Sequence, residues 1–389
     1  MALALSEQSI GWRGVELALQ EICCIDRMGP VHGILISWLG FFSVKWPEDR
    51  PPQPLCMPES VRKPIDTALQ HDLHALARDE FALVNQTILR QLHSDVELVR
   101  EIGHYLIESG GKRLRPLVVL LAAGACQYRG SAHIDLAVVV EFLHTATLLH
   151  DDVVDMSQLR RGRTTVNARW GNAPSVLVGD FIYSRAFELM VKIGSLQIMQ
   201  VLAETTNKLA EGEVMQLLNA GNPDVDETRY REVILRKTAK LFEASAQSAA
   251  ILAGRPATEV EALASYGRHL GLAFQLIDDV LDFDGNSDLL GKNLGDDLAE
   301  GKPTLPLIIT LERGAPADAA LVRDTILNGS SNALNAVIDA VKRSGGLEYT
   351  RELARHEAES AIESLHVLAP SRHRDGLIRL ARFAVERQY

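Results

Sequence analysis

Three stretches of this chain, His133 to Met156, Glu227 to Ala253 and Thr258 to Phe283, each run beyond twenty residues without a proline. Elsewhere apolar positions recur three and four residues apart, as at Leu69, Leu73 and Leu76 and at Leu114, Val118 and Leu121, the spacing that gathers apolar side chains on one face of a helix. Helix-breaking groups separate the segments: Ser109-Gly110-Gly111, Tyr128-Arg129-Gly130, Asn172-Ala173-Pro174, Gly221-Asn222-Pro223, Gly254-Arg255-Pro256 and Gly285-Asn286. Aromatic residues make up only 5% of the chain, so its 47% hydrophobic share rests on Ala, Leu, Val and Ile, which suits packed helices better than a sheet sandwich. The expectation is an all-α fold, a large helical bundle.

The 40 basic and 51 acidic side chains leave a formal charge of −11, which disfavours a general attraction to nucleic-acid phosphate; no nucleic-acid partner is expected. Cys23, Cys24, Cys56 and Cys126 show neither a metal-ligand spacing nor a disulfide framework, and this fits a reducing cytosol. Residues 1–63 read differently from the rest, holding Trp12, Trp38 and Trp46 and then Pro51, Pro52 and Pro54. They are expected to form an N-terminal extension, disordered or preceding a true start at Met57, with residues 64–389 as the folded domain. The apolar run from Gly33 to Val44 is too short to cross a bilayer, so no transmembrane segment is expected, although Trp38, Phe41 and Phe42 leave a peripheral membrane contact open.

Two acidic motifs carry the chemistry. In Leu148-Leu149-His150-Asp151-Asp152-Val153-Val154-Asp155 an apolar helix abruptly presents three carboxylates, with Asp151 and Asp155 on one face. Carboxylates this close repel one another unless cations neutralise them, and open oxygen clusters suit Mg²⁺ held jointly with substrate phosphates. Alone, the motif reads more readily as a solvated acidic helix end. It recurs, however, as Phe274-Gln275-Leu276-Ile277-Asp278-Asp279-Val280-Leu281-Asp282 on a second apolar helix, with Gln275, Asp278, Asp279 and Asp282 on one face. Two such clusters in greasy helices are poorly explained as solubility devices, and facing each other they could share several Mg²⁺ ions. Basic runs complement them, Gly110-Gly111-Lys112-Arg113-Leu114-Arg115-Pro116 and Arg160-Arg161-Gly162-Arg163, and a diphosphate is their natural target because Arg offers bidentate donors and Lys a point charge.

The order of these motifs, with Lys237-Thr238 between the acidic pair, resembles the trans-polyprenyl diphosphate synthases, collinearly from about Pro64 to Tyr389. Within that family the runs Glu141 to His150 and Gly291 to Leu307 resemble most the bacterial octaprenyl diphosphate synthases. The resemblance implies an isoprenoid-synthase fold, a large antiparallel helical bundle around a deep apolar cavity, and a usual homodimer with Ala173 to Leu189 as a candidate interface. It implies a prenyltransferase that joins isopentenyl diphosphate to an allylic diphosphate, farnesyl or geranyl, with two or three Mg²⁺ ions per site. The implied catalytic residues are Asp151, Asp152, Asp155, Asp278, Asp279 and Asp282, with Asp151, Asp155 and Asp278 on the metal. Isopentenyl diphosphate falls to Lys112, Arg115, His144 and Arg161, and the allylic diphosphate to Arg160, Lys237, Thr238, Gln275, Lys292 and Lys302.

Product length should follow from what lies beneath Asp151. The residues four and five positions earlier are Thr147 and Ala146, and further turns bring Leu143 and Val140, each turn lowering the wall by about 5.4 Å. No bulky aromatic blocks the way, so a long product is expected; taken with this, the family resemblance implies an octaprenyl chain serving as a quinone side chain. The enzyme is expected in the cytoplasm, held near the membrane by its product. A class I terpene cyclase would need no isopentenyl site, so Gly110 to Pro116, Arg161 and the second complete motif argue against it. A non-catalytic regulatory subunit of the same fold is opposed by both intact acidic motifs.

Overall fold

A computed structural model shows the fold, describing residues 73, 75–160, 162–284, 295–328 and 333–387. Lys63–Tyr389 forms one compact unit; the N-terminal extension, Arg161 and Lys292 lie outside the described residues. Sixteen helices follow one another among the described residues: α1 Arg78–Gln91, α2 Glu97–Glu108, α3 Leu114–Ala125, α4 Ala132–Val154, α5 Val166–Trp170, α6 Asn172–Ile193, α7 Leu196–Asn219, α8 Glu227–Ile234, α9 Lys240–Leu252, α10 Ala257–Asp284, α11 Asp296–Ala299, α12 Leu305–Arg313, α13 Pro316–Asn328, α14 Leu334–Ser344, α15 Gly346–Ser364 and α16 Arg372–Glu386. The strands among the described residues form one ribbon of two residues each, Leu159–Arg160 paired antiparallel with Arg163–Thr164.

The long proline-free stretches become the central helices. α4, α9 and α10 sit in the middle of the bundle, where α4 packs along α6 and α3, and α10 packs along α9 and α15. α4 is apolar enough to cross a membrane by length and composition, but Leu136, Val138, Val139, Val140 and Leu143 are wholly buried among neighbouring helices. Polar caps fix the helix starts: the side chains of Ser195, Asp226 and Ser371 accept from the backbone N–H groups of Ile198, Arg229 and Arg374, satisfying donors that have no partner in the first turn. Pro174 falls inside the first turn of α6 rather than before it, where its missing N–H removes no helical hydrogen bond.

The stretch Glu227 to Ala253 departs from expectation. It is helical throughout but not regular, because Leu235–Ala239 forms a π-turn between α8 and α9. Nothing in the periodicity marks this turn; its cause lies in neighbours from other parts of the chain.

Candidate active site

α4 ends at the first acidic motif, with Asp155 as its C-cap. Asp151 and Asp155, one turn apart, are partly exposed, whereas Asp152 is buried at 4%. Asp152 turns towards the ribbon, where its Oδ1 accepts Arg160 Nε at 2.7 Å and Nη2 at 2.6 Å. Burial raises the pKa of Asp152, opposed by the Arg160 guanidinium. Asp152 and Arg160 therefore hold each other, and Asn167 adds a bond to the Asp152 carbonyl at 2.9 Å.

Two lysines from distant segments meet the other two carboxylates. Lys237, in the π-turn, stands 3.5 Å from Asp151 Oδ2, pairs with Glu213 and donates to Gln216 Oε1 at 2.6 Å. Burial pushes the Glu213 carboxyl up to about 7 against the pull of Lys237. Lys302 lies 3.1 Å from Asp155 Oδ2 and also pairs with Glu300. Burial alone would lower the pKa of Lys302, but Asp297, Asp155 and Glu300 outweigh it and hold the ammonium charged.

The second motif lies on the C-terminal part of α10. Asp278 pairs with Arg387 Nη1 at 2.8 Å, and that guanidinium is itself buried over the Phe274 ring, 3.7 Å from its centroid. Asp279 is enclosed, accepting Tyr230 Oη at 2.5 Å and Gln275 Nε2 at 2.8 Å, while Thr238 Oγ1 donates to Gln275 Oε1 at 2.8 Å. Burial raises the pKa of Asp279, helped by Asp297 and opposed by the Tyr230 and Gln275 hydrogen bonds. Asp282 is wholly buried. Lys237, Thr238, Gln275, Asp279, Asp297 and Lys302 line one cleft of about 530 Å³. Lys237 and Lys302, which pair with Asp151 and Asp155 of the first motif, thus line the same cleft as Gln275 and Asp279 of the second; Asp278 pairs with a different cation, Arg387.

A second cleft, about 850 Å³, runs beside α4. Glu141, His144, Thr145, Leu148 and Asp152 face it from α4, and Gly110, Arg113 and Arg160 line it with Ile88, Leu92 and Ile107. His144 and Arg160 thus share a wall. Lys112 and Arg115 are placed elsewhere, Lys112 Nζ 5.9 Å from the centroid of the Phe383 ring and Arg115 4.4 Å over that of Phe242. Arg113 instead reaches Asn85. Ala146, Leu143 and Val140 are wholly buried, and Thr147 bonds the His144 carbonyl at 2.8 Å.

Sequence reasoning missed Glu213, Gln216, Tyr230, Asp297, Glu300 and Arg387. Asp297 and Glu300 could have been found from their closeness to Lys302 in sequence; the others carry no local signal.

The donor set is all oxygen. Among the described residues no group of three or more His, Cys, Asp or Glu side chains is close enough to enclose a metal ion alone. Asp151 and Asp155 instead offer carboxylates on one face, each already matched by a cation. That arrangement fits Mg²⁺, which prefers one or two carboxylates plus substrate phosphates over an all-protein cage.

Residues 96–342, more than half of the chain, match the polyprenyl synthetase family. The chain is 51% identical over 316 residues to an octaprenyl diphosphate synthase of Escherichia coli, covering 81% of this chain and 98% of that protein. It is 44% identical over 319 residues to an all-trans-nonaprenyl-diphosphate synthase of Rhodobacter capsulatus, covering 82% and 98%. Among solved structures, a polyprenyl synthase of Caulobacter crescentus complexed with calcium and isoprenyl diphosphate superposes with a TM-score of 0.80 at 42% identity, covering 82% of this chain and 98% of that one. The twin acidic motifs, the two lysines paired with the first of them and the match along most of the sequence place this chain in one group: it belongs to the polyprenyl synthetase family.

Proposed function

We propose that this chain elongates an allylic diphosphate, farnesyl or geranyl, by repeated 1'-4 trans condensation with isopentenyl diphosphate to give octaprenyl diphosphate, the precursor of a quinone side chain. The observation that carries the reading is the cleft in which Lys237 and Lys302 join Asp151 and Asp155 to the Gln275 and Asp279 side of the second motif.

Diphosphate leaves poorly because charge builds on its oxygens as the C–O bond breaks. Lys237 and Lys302, with Arg160 and Lys292, would hold those oxygens, and preorganised cations aimed at developing charge lower the barrier without reorganising. Two or three Mg²⁺ ions held by Asp151, Asp155 and Asp278 would supply further neutralisation of the leaving group. His144, with Lys112, Arg115 and Arg161, would orient isopentenyl diphosphate so that its terminal alkene carbon meets the allylic cation. A carbon–carbon bond forms between that terminal carbon and the allylic carbon whose C–O bond has broken, leaving a tertiary cation on the next carbon of the isopentenyl unit; the methylene beyond it then loses a proton to the departing pyrophosphate, which restores a double bond. Thr238 and Gln275 fix the wall of the cleft. Ala146, Thr147, Leu143 and Val140 would set product length.

A homodimer completes the reading. α6 and α7 leave Leu177 66%, Val191 64%, Leu217 61% and Leu218 68% exposed, an apolar face on adjacent helices that a second copy would cover. Residues 1–63 would be an extension outside the catalytic bundle, and the enzyme would work in the cytoplasm beside the membrane that receives its product. The test is purified protein with Mg²⁺, farnesyl diphosphate and labelled isopentenyl diphosphate, with products sized after dephosphorylation. Label in an eight-unit prenol supports the proposal; cyclised hydrocarbon without label, or no product from the chain alone, rejects it.

A further inference from the structure

Lys237 and Thr238 lie in a π-turn, Leu235–Ala239, a rare conformation found mostly as single turns within α-helices and frequently at functional sites. Two glycines press on this one. A Cβ on Gly212 of α7 would lie 2.7 Å from Lys237 N, and one on Gly271 of α10 would lie 2.5 Å from Ala239 Cα. Helices on both sides therefore touch the turn's backbone without room for a methyl group.

A chain of hydrogen bonds runs from α8 to the turn by way of α10. Tyr230, 5% exposed, donates to Asp279 Oδ2 at 2.5 Å; Gln275 Nε2 donates to Asp279 Oδ1 at 2.8 Å; Thr238 Oγ1 donates to Gln275 Oε1 at 2.8 Å. The chain begins on α8 before the turn, crosses to α10 and returns inside the turn, beside Lys237. Both oxygens of Asp279, itself 1% exposed, are committed to this path. The outer side of α8 is held as well: Arg231 donates to the buried Glu357 at 2.7 Å, and Glu227 accepts Tyr349 Oη at 2.8 Å.

We propose that Tyr230 is a positioning residue for the diphosphate-binding lysine: through Asp279 and Gln275 it locks the rotation of the π-turn and so aims Lys237 at Asp151. The inference rests on the proposed role of Lys237. Tyr230 also borders the cleft, but its hydroxyl is committed to Asp279, so in this proposal it acts through the turn.

Tyr230→Phe removes only the phenolic oxygen. It is compared with wild type, Asp279→Asn and the double variant in kcat, in KM for each substrate, in Tm, and in Mg²⁺-dependent binding of inorganic pyrophosphate by calorimetry. Y230F is expected to lower kcat about tenfold and to weaken pyrophosphate binding similarly, the scale of a small misplacement of a binding group, while KM for isopentenyl diphosphate stays within about twofold. The double variant should be no worse than Asp279→Asn, because both cut one path. A Y230F protein with lowered Tm but wild-type kcat and pyrophosphate affinity would overturn the proposal, as would multiplicative losses in the double variant. If Y230F does not fold, Thr238→Val cuts the far end: loss of kcat restored by Thr238→Ser supports the path, and wild-type kcat in Thr238→Val rejects it. A wild-type enzyme without prenyl transfer would reject the function instead, and the pyrophosphate affinities would still test Tyr230.

Discussion

Lys302 sets its ammonium 3.1 Å from Asp155, a carboxylate 147 residues earlier in the chain, with Glu300 paired to the same nitrogen. A cation so surrounded balances a carboxylate cluster that would otherwise repel itself. Lys302→Ala should lower kcat by about 10²-fold, the usual scale for losing one preorganised charge at a reacting group. Its Tm should also rise with added Mg²⁺ more steeply than that of wild type, because a bound cation replaces the missing one. Steady-state kinetics and a thermal melt across a Mg²⁺ titration check both, and equal Mg²⁺ slopes would contradict the balancing role.

The aspartates of the first motif, alike in sequence, should separate by experiment. Asp152 is buried on Arg160, so Asp152→Asn should cost about 1–3 kcal/mol of stability, the range for a lost charged hydrogen bond at a buried site. Asp151→Asn should cost under about 1 kcal/mol, as expected of a partly exposed pair, yet lower kcat by about 10²-fold. Chemical denaturation and single-turnover rates on both variants decide; identical profiles would remove the distinction.

Both acidic motifs and the central helices were legible in the sequence because their information is local: carboxylates one turn apart, apolar residues at helical spacing, no proline. α4 and α10 begin and end within two residues of the proline-free stretches that announce them. The partners that shape the site were not legible. Tyr230 and Asp279 are 49 positions apart, Lys237 and Glu213 are 24 apart, and no periodicity encodes such pairs. The π-turn was hidden for the same reason, since Gly212 and Gly271 belong to other helices. Arg113 reads like Lys112 and Arg115 in its basic run, yet it lines the cleft beside His144 while they rest by Phe383 and Phe242.

Glu213 predicts a pH dependence. Burial lifts its carboxyl from an ordinary 4.5 to about 7, so the folded protein keeps a proton that the unfolded chain has released. Its stabilising contribution is complete below pH 4.5 and is lost as pH rises through about 7. Glu213→Gln stays neutral, so its Tm should gain on that of wild type across this interval in metal-free protein. A constant Tm difference by calorimetry would show that Glu213 is ionised in the fold throughout.

Product length offers a fourth test. Thr147 is partly exposed, whereas Ala146 is wholly buried, so Ala146→Phe should cost about 1–3 kcal/mol by overpacking and Thr147→Phe less. If these residues set product length, both variants shorten the prenol; unchanged products from folded variants would move the determinant to the cleft lined by Thr145 and Leu148.

The central claim is that the two acidic rows act together on one diphosphate. Calorimetric titration of inorganic pyrophosphate, with and without Mg²⁺, into wild type, Asp151→Asn, Asp278→Asn and the double variant tests it directly. The account predicts Mg²⁺-dependent binding in wild type, about tenfold or greater weakening in each single variant, and a double variant little weaker than either. Undiminished pyrophosphate affinity in Asp278→Asn, or independent losses that multiply in the double variant, would contradict it.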